Sequence, residues 1–251
     1  MLGSAVSRSL LDRYQDGDQL RVWAEMIQLG SSVRDPQYFD DASAVARETM
    51  RRARHNVEQI IEKLDRLGYR FTRWVDYSRD LKDELKPDPS RLPSLKDPQV
   101  FQPARASAPE DLDVLEELIG GPLPLSIRHW WEQIRYVCLD GVHETLSPGL
   151  DPQGASPLEI WPFDGFEGDF FGLIDLTEFN ETGFQLSLER DAYAIRVPDR
   201  GADVKIRPDR LWFVPYLREV FEWGGFPGWK HFENASPDKE LNYLREGLLL
   251  L

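Results

Sequence analysis

Six prolines fall between residues 87 and 109: Pro87, Pro89, Pro93, Pro98, Pro103 and Pro109. Each fixes φ and removes a backbone donor, and together they recur too often for regular structure. The helices and strands of this chain must therefore lie mostly on either side, with a linker or an extended strap over 87–104. The balance of charge changes at the same place. Residues 1–104 hold 17 acids and 17 bases, whereas residues 105–251 hold 27 acids and 13 bases, so the formal net charge of −14 belongs to the second part. Two independent boundary signals at one position predict a helical module over 1–86, a proline-rich linker over 87–104 and a second domain over 105–251.

In the first part, the clearest periodic segment starts near Asp40 and Asp41, whose carboxylates suit the first turn of a helix. Met50, Ala53, Val57, Ile60, Leu64 and Leu67 follow at alternating spacings of three and four, and Gly68 supplies a stop. Arg51, Arg52, Arg54, Glu58, Glu62 and Lys63 occupy the opposite face, so one stripe is expected to be buried and the other wet. A shorter helix is expected over 18–29, presenting Leu20, Trp23, Ile27 and Met26 to its neighbour. The two should pair, and a homo-oligomer through these helices stays open.

Beyond the prolines, Pro109 can start a helix in which Leu112, Leu115 and either Leu118 or Ile119 recur before Gly120 and Gly121. Pro124 can start another through LSIRHWWEQI, with Ile127, Trp130, Trp131 and Ile134 as apolar positions. Adjacent tryptophans on a helix point about 100° apart, which predicts one inside and the other at a domain contact. Short β-type runs follow, namely YVCL, PLEIW, FFGLIDL, FQLSL, AYAIRV and DVKI, spaced for antiparallel hairpins. Two closing helices are expected over VPYLREVFEWGG and DKELNYLREGLLL. The fold class implied by this order is α+β: an N-terminal helical module, then a mainly antiparallel sheet flanked by helices.

Between Tyr136 and Glu189 the chain carries eleven carboxylates (Asp140, Glu144, Asp151, Glu159, Asp164, Glu167, Asp169, Asp175, Glu178, Glu181 and Glu189) and no Lys or Arg. Such a field repels nucleic acid and anionic lipid and steers basic proteins toward the surface. The plainer reading is a solvated face that keeps the protein soluble. Aromatic anchors beside charges are typical of interfaces, and Trp161, Phe166, Phe170 and Phe171 lie among these acids. The candidate partner-binding residues are therefore Asp140, Glu144, Trp161, Asp164, Glu167 and Asp169.

The sequence has no phosphate-binding G-x-x-x-x-G-K-[ST] loop, no G-x-S-x-G elbow and no H-E-x-x-H pair. Its four histidines, His55, His129, His143 and His231, never share an i, i+4 spacing. His143 reads as a turn residue, and Asp164, Glu167 and Asp169 lack the order of a calcium loop. Cys138 is the only cysteine, so no intramolecular disulfide forms, and a zinc site would have to draw on His and carboxylates. On a buried strand without a basic neighbour it reads as a structural thiol. Arg51, Arg52 and Arg54 have Glu48, Glu58 and Glu62 beside them, which predicts ion pairs and not a nucleic-acid site. The expectation is no catalytic residue, no metal and no cofactor. The opening residues lack the apolar core of a signal peptide and no apolar run is long enough to cross a bilayer, which suggests a cytoplasmic protein without membrane contact.

The segment PEDLDVLEELIGGPLPLSIRHWWEQI, followed by PLEIWPF and LWFVPYLREVFEWGGFPGW, resembles the SUKH superfamily over roughly residues 105–235. The family opens on an acidic helix, a small-residue corner and an aromatic-bearing helix, and its bacterial members close on an aromatic helix running into a Gly-Gly-Phe-Pro-Gly turn. The resemblance implies protein binding. Bacterial members are interpreted as immunity proteins that cover toxins, many of them nucleases, whose basic surfaces an acidic inhibitor would complement. The expected function is thus a non-enzymatic, immunity-type inhibitor of a basic toxin. A regulatory or scaffold protein with a cellular partner is the alternative, and for a hydrolase the sequence nominates no residues.

Overall fold

In the computed structural model, residues 8–72, 94–147, 156–163, 184–187, 194–206, 211–231 and 237–251 are described. The first part is helical. Helix α1 (Leu10–Gln15) is capped by Ser9, whose side chain accepts from Asp12 N at 3.0 Å. Asp41 of a later helix accepts from the N–H groups of Leu10 and Leu11, stapling α1 to it. Helix α2 (Gln19–Leu29) then packs on the long α3 (Phe39–Leu67), where Trp23 Nε1 donates to Thr49 Oγ1 at 3.0 Å.

Helix α3 buries the expected apolar stripe, but Lys63, expected on the wet face, is buried too, with its Nζ donating to Leu244 O at 3.3 Å. Met50, Ala53, Val57, Ile60 and Leu64 are fully buried, and Gly68 ends the helix with a left-handed φ of 75°. Helix α2 is rotated from expectation. Its buried positions are Gln19, Val22, Trp23 and Met26, while Leu20 is 68% exposed and Ile27 only half-buried. At about 100° per residue Leu20 lies roughly 110° from the middle of that buried arc, so a hydrophobic residue is left outside.

After α3 short strands alternate with helices, and the class is α+β. Strand β1 (Arg70–Phe71) pairs antiparallel with β4 (Gly141–Val142), and β2 (Phe101–Pro103), β3 (Ile134–Cys138) and β5 (Glu159–Ile160) form a three-stranded antiparallel sheet in the order β2-β3-β5. Strands β6 (Phe184–Ser187) and β7 (Ala194–Val197) make an antiparallel hairpin. Strand β2 comes from the described end of the proline-rich segment, and its pairing shifts register between Gln102 and Pro103, where proline has no N–H for the ladder. The expected run DVKI forms only an isolated bridge between Lys205 and Trp212. The run FFGLIDL lies outside the described residues.

Helices α4 (Ala108–Leu118) and α5 (Leu125–Trp131) meet at the glycine corner, with Leu112, Leu115 and Ile119 inside and Leu118 half exposed. Helix α5 stops before Ile134, which opens β3. Trp130 and Trp131 are both buried. Trp130 meets Phe213 edge-on at 5.6 Å, and Trp131 faces Phe163 at 5.4 Å. The last helices are α6 (Phe213–Glu222) and α7 (Asp238–Arg245), separated by the Gly224-Gly225 turn and a 3-10 turn over Pro227–His231.

One hydrophobic cluster runs from Leu10 to Leu251 and contains residues of both parts. Helix α3 packs against α1, α5 and α7. The final residues lie along it: Asn56 Nδ2 donates to Leu249 O at 2.8 Å and Asn56 Oδ1 accepts from Leu249 N at 2.7 Å. Arg52 donates to Leu250 O and Arg218 to Leu251 O. Among the described residues no helix is long and apolar enough to cross a membrane.

Candidate functional site

Of the six candidate partner-binding residues, Asp140, Glu144 and Trp161 are described, and Asp164, Glu167 and Asp169 lie outside the described residues. Strand register explains what the first group does. Cys138 of β3 pairs directly with Glu159 of β5, so their side chains share one face of the sheet. Asp140 follows Cys138 by two residues and returns to that side. As a result the Cys138 thiol and the carboxylates of Asp140 and Glu159 all lie within 4.8 Å of one another. Trp161 holds the group from outside: its Nε1 donates to Glu159 Oε1 at 2.6 Å, while its carbonyl accepts from Trp131 Nε1 at 3.2 Å. Asp140 O accepts from Thr72 N at 2.8 Å, fixing the backbone at the strand exit.

The electrostatics follow from this packing. Burial, then the negative charges of Asp140 and Glu159, push the Cys138 thiol well above its ordinary value. Burial and Asp140 do the same to Tyr69, whose hydroxyl donates to Leu139 O at 2.8 Å. Left alone, Cys138 is a neutral, unreactive thiol. Glu144 is exposed just after β4. His143 is structural: Nε2 donates to Leu67 O at 3.2 Å near the end of α3, and Nδ1 accepts from the Thr145 and Leu146 amides at 3.3 Å.

A second polar constellation has no sequence motif. Ser43 Oγ lies 2.9 Å from His129 Nε2, and His129 Nδ1 lies 2.6 Å from Glu132 Oε2. Burial would raise Glu132, but the hydrogen bond with His129 and the charges of Arg128 and Arg47 hold it below the usual carboxylate range. Arg128 also pairs with Glu116 at 2.7 Å and Asp113 at 2.8 Å, joining α5 to α4. The connectivity is that of a Ser-His-acid relay. One feature sets it apart from a nucleophile elbow: Ser43 lies within a regular turn of α3 and not on a strained strand-to-helix turn. The arrangement instead ties α3 to α5. Sequence reading missed it because Ser43 and His129 are 86 residues apart, and only the His129–Glu132 spacing was visible locally.

Set against family models, curated proteins and solved structures, the chain matches none of them.

Proposed function

We propose that the chain is a non-enzymatic protein-binding domain of SUKH type, an immunity-type inhibitor that occludes a basic toxin through its acidic face, with a nuclease as one form of that toxin. The observation that carries this reading is the segment from Tyr136 to Glu189, with eleven carboxylates and no Lys or Arg. A basic partner would meet a field of one sign, which speeds encounter at low salt and suppresses acidic competitors. The exposed Glu144 and half-buried Asp140 and Trp161 supply charge and an aromatic rim, and Asp164, Glu167 and Asp169 extend the charge along the chain. A regulatory or scaffold role with a cellular partner is the second reading, favoured by the exposed Leu20 on the helical module.

Affinity capture from the native lysate at low and moderate salt, followed by kinetics with the purified partner, tests the proposal. One basic protein should be retained near stoichiometry, and the triple variant E144K/E167K/D169K should associate at least about tenfold more slowly at low salt. Retention of no basic protein, or an unchanged association rate in the variant, would remove the acidic face from the proposal.

A further inference from the structure

We propose that Cys138, Asp140 and Glu159 form a zinc-binding site, with one thiolate and two carboxylates as ligands and water completing the coordination. The register of β3 against β5 places Cys138 opposite Glu159, and the two-residue step to Asp140 brings in the third group, so two chain segments supply all three ligands. Their donor atoms already lie within 4.8 Å of one another. A tetrahedral ion with bonds of about 2.0–2.3 Å holds neighbouring ligand atoms roughly 3.4–3.6 Å apart, a distance that small side-chain rotations reach.

The donor set selects the metal. Calcium and magnesium take oxygen ligands and reject sulfur, whereas zinc accepts thiolate and carboxylate together. Burial selects it too, because Cys138 is 7% exposed while Asp140 and Glu159 are half-buried, leaving a solvent side for the water ligand. Three protein ligands plus water is the arrangement of an open zinc site. The hydrogen bond from Trp161 Nε1 to Glu159 Oε1 orients that carboxylate, as outer partners do at metal centres. Binding displaces the thiol proton to solvent, so the site forms more readily as pH rises. It also lowers the local negative charge, which confines electrostatic attraction for a partner to the neighbouring acids.

The inference does not rest on the partner-binding reading, and its failure would leave the charge-reversal result untouched. Untagged, metal-stripped protein is titrated with Zn²⁺ by calorimetry and with Co²⁺ by absorption spectroscopy. The expected result is one ion per chain, competition between the two metals, and a thiolate-to-cobalt charge-transfer band in the near ultraviolet. Cys138 is the only cysteine, so that band reports on it in the wild-type protein without any variant. C138S should abolish the band, E159Q should weaken zinc binding more than tenfold, and W161F by about tenfold through loss of orientation. Absence of stoichiometric binding, a cobalt complex without the thiolate band, or zinc affinity unchanged in E159Q would overturn the site.

Discussion

Asp203 is buried just before α6, where its carboxylate accepts from Ser126 Oγ at 2.7 Å, Val204 N at 2.9 Å and Val214 N at 3.0 Å. The bond from Val214 satisfies a first-turn donor that the N-cap residue, Trp212, leaves without a side-chain partner. Burial outweighs these three bonds and pushes the carboxyl up to about 6. Between about pH 4 and 6 the folded chain keeps a proton that the unfolded chain has released, so this group's contribution to stability falls as pH rises. The loss reaches about 3 kcal/mol across the window and is constant above it. D203N cannot titrate, and contributions from other groups cancel in the comparison. Urea melts at pH 4, 5, 6 and 7 should show wild-type stability declining relative to D203N by an amount of that order. Parallel pH profiles for the two proteins would mean that Asp203 titrates at its unfolded value.

Among the turns, Gly224-Gly225 between α6 and α7 has the strictest geometry. Gly225 has φ of 96°, and a Cβ there would lie 2.9 Å from Leu139 Cδ1 and 3.3 Å from Ile60 Cγ2. Its carbonyl also accepts from Leu158 N at 2.9 Å, so the turn cannot back away without releasing the residue that leads into β5. G225A should therefore cost about 2–4 kcal/mol, read as a shift of the urea midpoint, whereas G120A, with φ of 76° but nothing within 4 Å, should cost about 1–2 kcal/mol. Equal costs would show that backbone strain alone matters at both. This turn was legible in the string WGGFPGW because glycine pairs and proline leave a local mark, and α3 was legible because its apolar stripe repeats over many turns. The short α1 left no periodicity to find, and the end of α5 was misplaced because Ile134 fits a helical spacing yet is taken by the ladder to β2. The Cys138–Glu159 and Ser43–His129 meetings were invisible for a stronger reason. Register and helix docking bring them together across the sequence, and residue spacing carries neither.

At the scale of the whole molecule, the change in charge near residue 104 does not coincide with a gap in packing. Helix α3 buries Ile60 beside the Gly225 turn, and Ser43 bonds to His129 on α5. Arg34 donates to Leu123 O, and Asn56 clamps Leu249 through two hydrogen bonds. A face of α3 that the second part covers would, if uncovered, expose a broad apolar stripe to water, and a helix of this length gains most of its stability from such packing. The helical module should therefore not outlast the rest of the fold. Far-UV circular dichroism, dominated by the helices, and fluorescence from tryptophans that lie mainly in the second part should give coincident urea transitions. N56A removes both bonds at the clamp, so it should lower both transitions together by about 1–3 kcal/mol. Were the two probes to separate, or N56A to move only the circular dichroism, the proline-rich segment would mark a true cooperative boundary. Coincidence would mean that charge and stability are partitioned differently: the excess of acids belongs to the second part of the sequence, while the core belongs to both.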